Sequence, residues 1–195
     1  MTAVAVSYRQ RLLDGLAASI NERGYRDTTV ADIVRHAQTS RRSFYAEFSS
    51  RDDCFVGLLE VMNARMQAAI EASVTPSADW RVQVRQAVTA YVDTVASQPA
   101  ITVSWIRELP ALGDAGRVLQ REAMTSFTSM LLRLVDNDAF RSAGTRKLTP
   151  GLALLLLGGL REVTASIVEA GGDIHDLTEL GVEAATALLE PPKSG

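Results

Sequence analysis

Apolar side chains recur every three or four positions along almost the whole chain, and no run of strict apolar/polar alternation stands out. Leu12, Leu13, Leu16, Ala17 and Ile20 mark a first amphipathic helix, and Gly24 is placed to stop it. Val30, Ile33, Val34 and Ala37 form the inward stripe of a second helix. Thr29 is its expected N-cap, with Asp32 three positions on, as in a capping box. Ser40 caps a third helix, where Phe44 and Phe48 share the inner face while Arg41, Arg42 and Tyr45 reach outward. Ser50 and Asp53 open a long fourth helix carrying Phe55, Leu58, Leu59, Met62, Met66 and Ile70. Further helices are expected from about Trp80 to Ala96, Ile101 to Glu108, Ala115 to Leu134, Pro150 to Ala170 and Asp176 to Leu189. Pro76, Pro99, Pro110, Gly113 and Gly171-Gly172 separate them, and 136–149 reads as a loop. Thr149 and Pro150 suit a cap and a first-turn proline. The pattern predicts an all-α fold of about nine helices. It comprises a three-helix N-terminal domain with a helix-turn-helix over 1–50, a larger helical ligand-binding and dimerisation domain over 51–190, and a tail over 191–195.

Charge sharpens that division. The whole chain carries a formal −3, which alone argues against nucleic acid. Through Arg51, however, eight arginines face five acids, a local +3, and the rest of the chain holds −6. A basic head on an acidic body suits a small DNA-binding module joined to a regulatory body. A hydrophobic content of 47% is enough to give that body a core.

Two helices meeting at a short turn place the second in the major groove, with its N-terminal residues nearest the bases. Arg41 and Arg42 are the direct-readout candidates, because a guanidinium matches guanine O6 and N7. The sequence leaves open which reads a base and which holds a phosphate, and both also suit a solvated surface. Ser40 and Ser43 suit phosphate or a base edge, and the Tyr45 hydroxyl suits phosphate. Thr29 stands where amide donors and the helix dipole favour phosphate. His36 closes the second helix, as a solvated end residue or a further phosphate contact.

Gly24-Tyr25-Arg26-Asp27-Thr28-Thr29-Val30-Ala31-Asp32-Ile33, then Ala37 and Ser40-Arg41-Arg42-Ser43-Phe44-Tyr45-Ala46-Glu47-Phe48, resembles the N-terminal domain of the TetR family of transcriptional regulators. The likeness covers roughly 9–60. It implies a homodimeric, all-helical repressor released from DNA by a small ligand, with Thr29, Arg41, Arg42, Ser43 and Tyr45 at positions that commonly touch DNA. One departure stands out: the turn that usually reads Ala-Gly-Val in the family is Ala37-Gln38-Thr39 here. If a left-handed conformation persists at Gln38, it costs on the order of 1 kcal/mol.

In the body, Gly151–Leu160 is apolar around the whole helix, which predicts a central or partner-covered element. Gly158 and Gly159 each cost a helix interior roughly 1 kcal/mol relative to alanine, which close helix approach would explain. The last helix adds small residues of its own. A twofold four-helix interface is expected, built from Leu152, Leu156, Gly159, Leu160, Leu177, Leu180, Gly181, Ala184 and Leu188. Two heads on one dimer imply a roughly palindromic double-stranded operator. Met62, Met66, Tyr91, Trp105, Met124, Phe127 and Met130 suit an adaptable apolar pocket for a hydrophobic or amphipathic effector, and equally an ordinary core.

Other functions find little support. His36 and His175 share no ligand-like spacing, and no catalytic grouping or phosphate loop stands out, so neither an enzyme nor a metal or other cofactor is expected. Cys54 has no disulfide partner. The N-terminus lacks a signal-peptide pattern, and the apolar run from Leu152 to Leu160 is too short to span a bilayer, so a cytoplasmic protein with no membrane partner is expected. The competing reading is a non-catalytic helical adaptor whose head packs on protein and does not read DNA specifically.

Overall fold

The computed structural model describes residues 7–191, so all of the expected tail except Pro191 lies outside the described residues. Among the described residues every regular element is helical. The α-helices are α1 (Tyr8–Asp27), α2 (Val30–His36), α3 (Arg41–Glu47), α4 (Arg51–Ser73), α5 (Trp80–Ser97), α6 (Pro99–Glu108), α7 (Gly113–Leu134), α8 (Asp138–Ser142), α9 (Pro150–Glu169) and α10 (Leu177–Leu189), with 3₁₀ turns at Leu109–Leu112 and Ile174–Asp176.

Capping chemistry sets most of these boundaries. Thr29 and Asp32 form the expected reciprocal box at α2, Ser40 accepts the Ser43 amide at α3, and Thr149 accepts the Leu152 amide ahead of Pro150. At α4 the bonds at Ser50 and Asp53 take another form. Ser50 Oγ accepts the Asp53 amide at 3.0 Å, but the Asp53 carboxylate receives the Ser49 amide and hydroxyl. Gly24 breaks helical geometry with φ 80° and ψ 164°, and one more turn follows before α1 ends at Asp27. The segment expected as a loop over 136–149 contains α8. Asn137 caps it, and Phe140 buries its ring 6.0 Å from Trp80. Five residues are too few to show a helical period in sequence.

The residues form two compact units. The first runs to Met62 and includes Ala100–Leu119. Leu12, Leu13, Leu16 and Ile20 of α1, Ile33 of α2, Phe44 of α3, Phe48, and Phe55 and Leu59 of α4 are all buried within it. Tyr25 stacks on Phe55 at 4.0 Å, and the Arg26 guanidinium pairs with Glu108 at 2.9 and 3.0 Å. Cys54 is fully buried, and desolvation pushes its thiol pKa up to about 12.

The second unit comprises Asn63–Pro99 and the residues from Gln120 onward. Its larger core joins Trp80, Val84, Val88, Val92 and Val95 of α5 to Phe140, Ala153, Ile174, Leu177, Ala185 and Leu189. Gly181 lets α10 approach α5 closely, since a Cβ there would lie 2.9 Å from Val88 Cγ1. By length and composition alone, α9 could cross a bilayer. Its Leu152, Leu156, Leu160, Val163, Ile167 and Val168 nevertheless pack against the core of this unit.

Candidate functional site

The α1–α2–α3 module is fixed by two neighbouring positions on one face of α1. Gly15 removes any side chain where α2 ends: a Cβ there would meet Ile33 O at 2.7 Å and Ala37 N at 2.9 Å. One turn earlier, Arg11 reaches the same place. Its Nη2 donates to Ala37 O at 2.8 Å and to Gln38 O at 2.7 Å, and its Nε donates to Ala37 O at 3.3 Å. Gln38 itself has φ 49° and is the single non-glycine residue with positive φ among the described residues. The turn has therefore kept a left-handed geometry without a glycine.

Beyond that turn, α3 presents its polar face. Phe44 is fully buried and Phe48 nearly so, which anchors the inner side. Arg41 and Arg42 occupy the first turn and are exposed, and among the described residues neither side chain makes a hydrogen bond or ion pair. Tyr45 is 60% exposed, with its ring edge-on to Phe44 at 5.3 Å. Ser43 is half-buried, 3.0 Å from Ser40 Oγ. Thr29 is exposed at the start of α2, and its hydroxyl donates to Asp32 Oδ2 at 2.6 Å. The Thr29 hydroxyl, followed by its amide, holds the Asp32 carboxyl below the usual carboxylate range. His36 is engaged elsewhere: its Nε2 lies 2.9 Å from Glu22 Oε2, tying α2 to α1. Hydrogen bonds from Arg23 and then His36 depress the Glu22 pKa.

Two arginines with positioning roles were not singled out from sequence. Arg11 is one. Arg51 is the other: its Nη1 donates to Thr28 O at 2.9 Å, and its guanidinium lies 4.4 Å from the Tyr25 ring centroid. Both act across about 25 residues of chain, so a local reading offers no signal for them.

In the second unit, five expected pocket residues converge. Phe127 and Met130 are buried together with Ile70, and Met66, Tyr91 and Met124 pack around them. The one polar feature among these is the Tyr91 hydroxyl, 2.7 Å from the buried Thr164 Oγ1. Desolvation raises the Tyr91 pKa, so the phenol stays neutral. Met62 and Trp105 belong to the first unit.

The expected partner face is divided by the fold. Leu177 is 1% exposed and Gly181 is buried, both turned toward the core of their own chain, while Leu152, Leu156 and Leu160 also pack inward. Gly159, Leu180 and Ala184 are exposed, and Leu188 is half-buried. Leu154 and Leu155 are also exposed, at 51% and 70%, beside Gly158. A Cβ on Gly158 or Gly159 would meet nothing within 4 Å. Among the described residues, nothing therefore requires either glycine.

A family model for bacterial regulatory proteins of the tetR family matches residues 12–58. The chain is 30% identical over 193 residues to the uncharacterized HTH-type transcriptional regulator YdgC of Bacillus subtilis (strain 168), across 97% of this chain and 94% of YdgC. Among solved structures, the fatty acid degradation regulator FadR from Bacillus halodurans superposes with TM-score 0.79 at 17% identity, covering 93% of this chain and 95% of that one. FadR from Bacillus subtilis in complex with stearoyl-CoA gives 0.76 at 16% identity, covering 91% and 97%. A TetR transcription regulator from Haloarcula marismortui gives 0.79 at 14% identity, covering 94% and 98%.

Proposed function

The chain belongs to the tetR family of bacterial regulatory proteins and is a ligand-responsive DNA-binding regulator, and we propose that it acts as a homodimeric repressor, released from a palindromic operator by a hydrophobic or amphipathic small molecule. The observation that carries this reading is α3. It exposes Tyr45 together with Arg41 and Arg42, whose side chains have no hydrogen-bond or ion-pair partner among the described residues, on a helix anchored from behind by Phe44. Guanidinium groups held outward at the start of a helix suit base edges and phosphates in a major groove. Thr29, Ser40 and Ser43 add hydroxyls at the helix starts, and His36 stands at the far end of α2. Residues 1–50 are the DNA-reading part in this scheme, and 51–190 the regulatory part.

The dimer is argued from α9 and α10. An exposed strip of Leu154, Leu155, Gly158 and Gly159, with Leu180 and Ala184 on α10, is apolar and small. Covering it with a second copy would remove the exposed leucines from water and give both glycines a reason. The exposed residues of the expected set thus become its centre, and the inward-facing ones its support.

The effector site is assigned to Met66, Tyr91, Met124, Phe127 and Met130. Their flexible and aromatic side chains suit an apolar ligand, and the Tyr91–Thr164 pair offers a polar anchor. Long-chain acyl thioesters are among the amphipaths to test, since B. subtilis FadR, a protein of similar fold, is seen with stearoyl-CoA. Such a ligand acts only by binding the DNA-competent and DNA-incompetent states with different affinity. The test is to titrate apolar and amphipathic compounds, stearoyl-CoA included, against the protein bound to a selected DNA fragment. At least one class should release the DNA, and Phe127→Ala should weaken that release while leaving DNA affinity intact. Failure of every class to displace DNA would overturn the effector assignment.

A further inference from the structure

We propose that Arg11 is a positioning residue for DNA reading: it sets the presentation of α3 by gripping the carbonyls on either side of Gln38, holding a left-handed turn that glycine supplies elsewhere in this chain. The proposal rests on the DNA-reading role given to α3 above.

Among the described residues, three helix ends close in the same way. At the end of α2 the Gln38 amide donates to Arg35 O and the Thr39 amide to Val34 O, at 3.2 and 3.0 Å. At the end of α8 the Gly144 amide donates to Arg141 O and the Thr145 amide to Phe140 O. At the end of α9 Gly171 and Gly172 repeat the pattern onto Val168 O and Ile167 O. Each is a paired closure whose pivot residue must adopt positive φ. Gly144 and Gly171 do so at 65° and 69°, where no Cβ opposes it. Gln38 does so at 49° with a Cβ present, so its conformation carries a steric cost.

Arg11 meets that cost at the right atoms. The φ and ψ of Gln38 together fix how the carbonyls of residues 37 and 38 point relative to each other. In extended backbone successive carbonyls diverge, and one planar fork could not hold both. Here a single guanidinium holds both, with its closest bonds at 2.8 and 2.7 Å. Its cation also sits at the C-terminal end of α2, where the helix dipole favours positive charge. Gly15, four residues on, keeps α1 close enough for the reach. Thr39 and Ser40 then lead directly into α3, so a change at Gln38 redirects Arg41 and Arg42.

The experiment is a double-mutant cycle on the full chain: wild type, Arg11→Met, Gln38→Gly and the double variant, with Arg11→Lys as the charge-preserving control. Operator affinity is measured across a salt series, and exchange of the Gln38 and Thr39 amides is followed by NMR without DNA. Arg11→Met should weaken specific binding by about tenfold, with an unchanged salt slope. Gln38→Gly should restore most of that loss, because glycine holds the turn unaided. Arg11→Lys should fall short of wild type, since a point charge lacks the fork. Exchange at Thr39 should rise in Arg11→Met and fall back in the double variant. Equal losses in both backgrounds, with a salt slope smaller by about one, would make Arg11 a phosphate contact and overturn the proposal. Full rescue by lysine, or unchanged affinity in Arg11→Met, would overturn it too. If wild type binds no DNA specifically, the repressor reading fails, and unchanged exchange in Arg11→Met then rejects the clamp separately.

Discussion

Replacing Gly15 with alanine adds one methyl group where α1 lies against the end of α2. The new Cβ would lie 2.7 Å from Ile33 O, 2.9 Å from Ala37 N and 3.0 Å from Ala37 Cβ. Ordinary carbon contacts begin near 3.5 Å, so α1 and α2 must separate by roughly 0.5–1 Å. Overpacking of this kind costs about 1–3 kcal/mol. The upper part of that range applies, because two of the three atoms are backbone and move only with the whole of α2. Alanine returns about 1 kcal/mol of helix propensity. The net loss is about 1–2 kcal/mol, a fall in Tm of roughly 2–8 °C for a chain of this size. Operator affinity should fall as well, since Ala37 leads into the turn before α3. Gly57→Ala is the control: its added Cβ first meets Arg9 Nη2 at 2.9 Å, the mobile end of a long side chain. It should cost less on both readouts. Thermal unfolding and DNA anisotropy measure the pair. A Gly15→Ala protein with raised Tm and undiminished DNA affinity would refute the close-packing reasoning.

Other substitutions probe separate parts of the molecule. Leu155→Glu, at a position 70% exposed, should yield helical monomers by sedimentation and abolish tight operator binding, whereas an unchanged dimer mass would remove α9 from the interface. Cys54, buried with a thiol pKa of about 12, should resist thiol reagents until the protein unfolds, and stoichiometric labelling of the native protein within minutes would contradict that burial. The depressed Asp32 pKa means its capping contribution is complete above the ordinary aspartate range and fades as pH falls through the lowered value. Thr29→Ala should therefore lower Tm near neutrality and flatten the fall of Tm on acidification; an acid profile parallel to wild type would dismiss the box as a source of stability.

Local chemistry was the most legible part of this fold. Thr29 with Asp32, Ser40, and Thr149 with Pro150 announced helix starts because a cap and its target lie three residues apart. The outward set on α3 was legible for the same reason, since Phe44 and Phe48 fix which side faces inward. The strain at Gln38 was visible as a missing glycine, but the arginine that meets it was not, because Arg11 acts from 26 residues away. The apolar helix α9 showed that it needed cover on all sides without showing how the cover divides. Only the packing reveals that Leu152, Leu156 and Leu160 serve their own core while Leu154 and Leu155 stay outside. The Met and Phe positions of α4 and α7 fit a core or a pocket equally well by periodicity. The fold brought five of the seven expected positions together and left Met62 and Trp105 in the other unit.

Selection of genomic DNA fragments by the purified full-length protein, at fixed and near-physiological salt, tests the DNA-reading role most directly. The predicted result is an enriched palindrome whose binding is lost in Arg41→Ala and Arg42→Ala variants that remain folded and dimeric. A well-folded dimer with only weak, sequence-independent binding would contradict it and favour a helical adaptor that docks on protein.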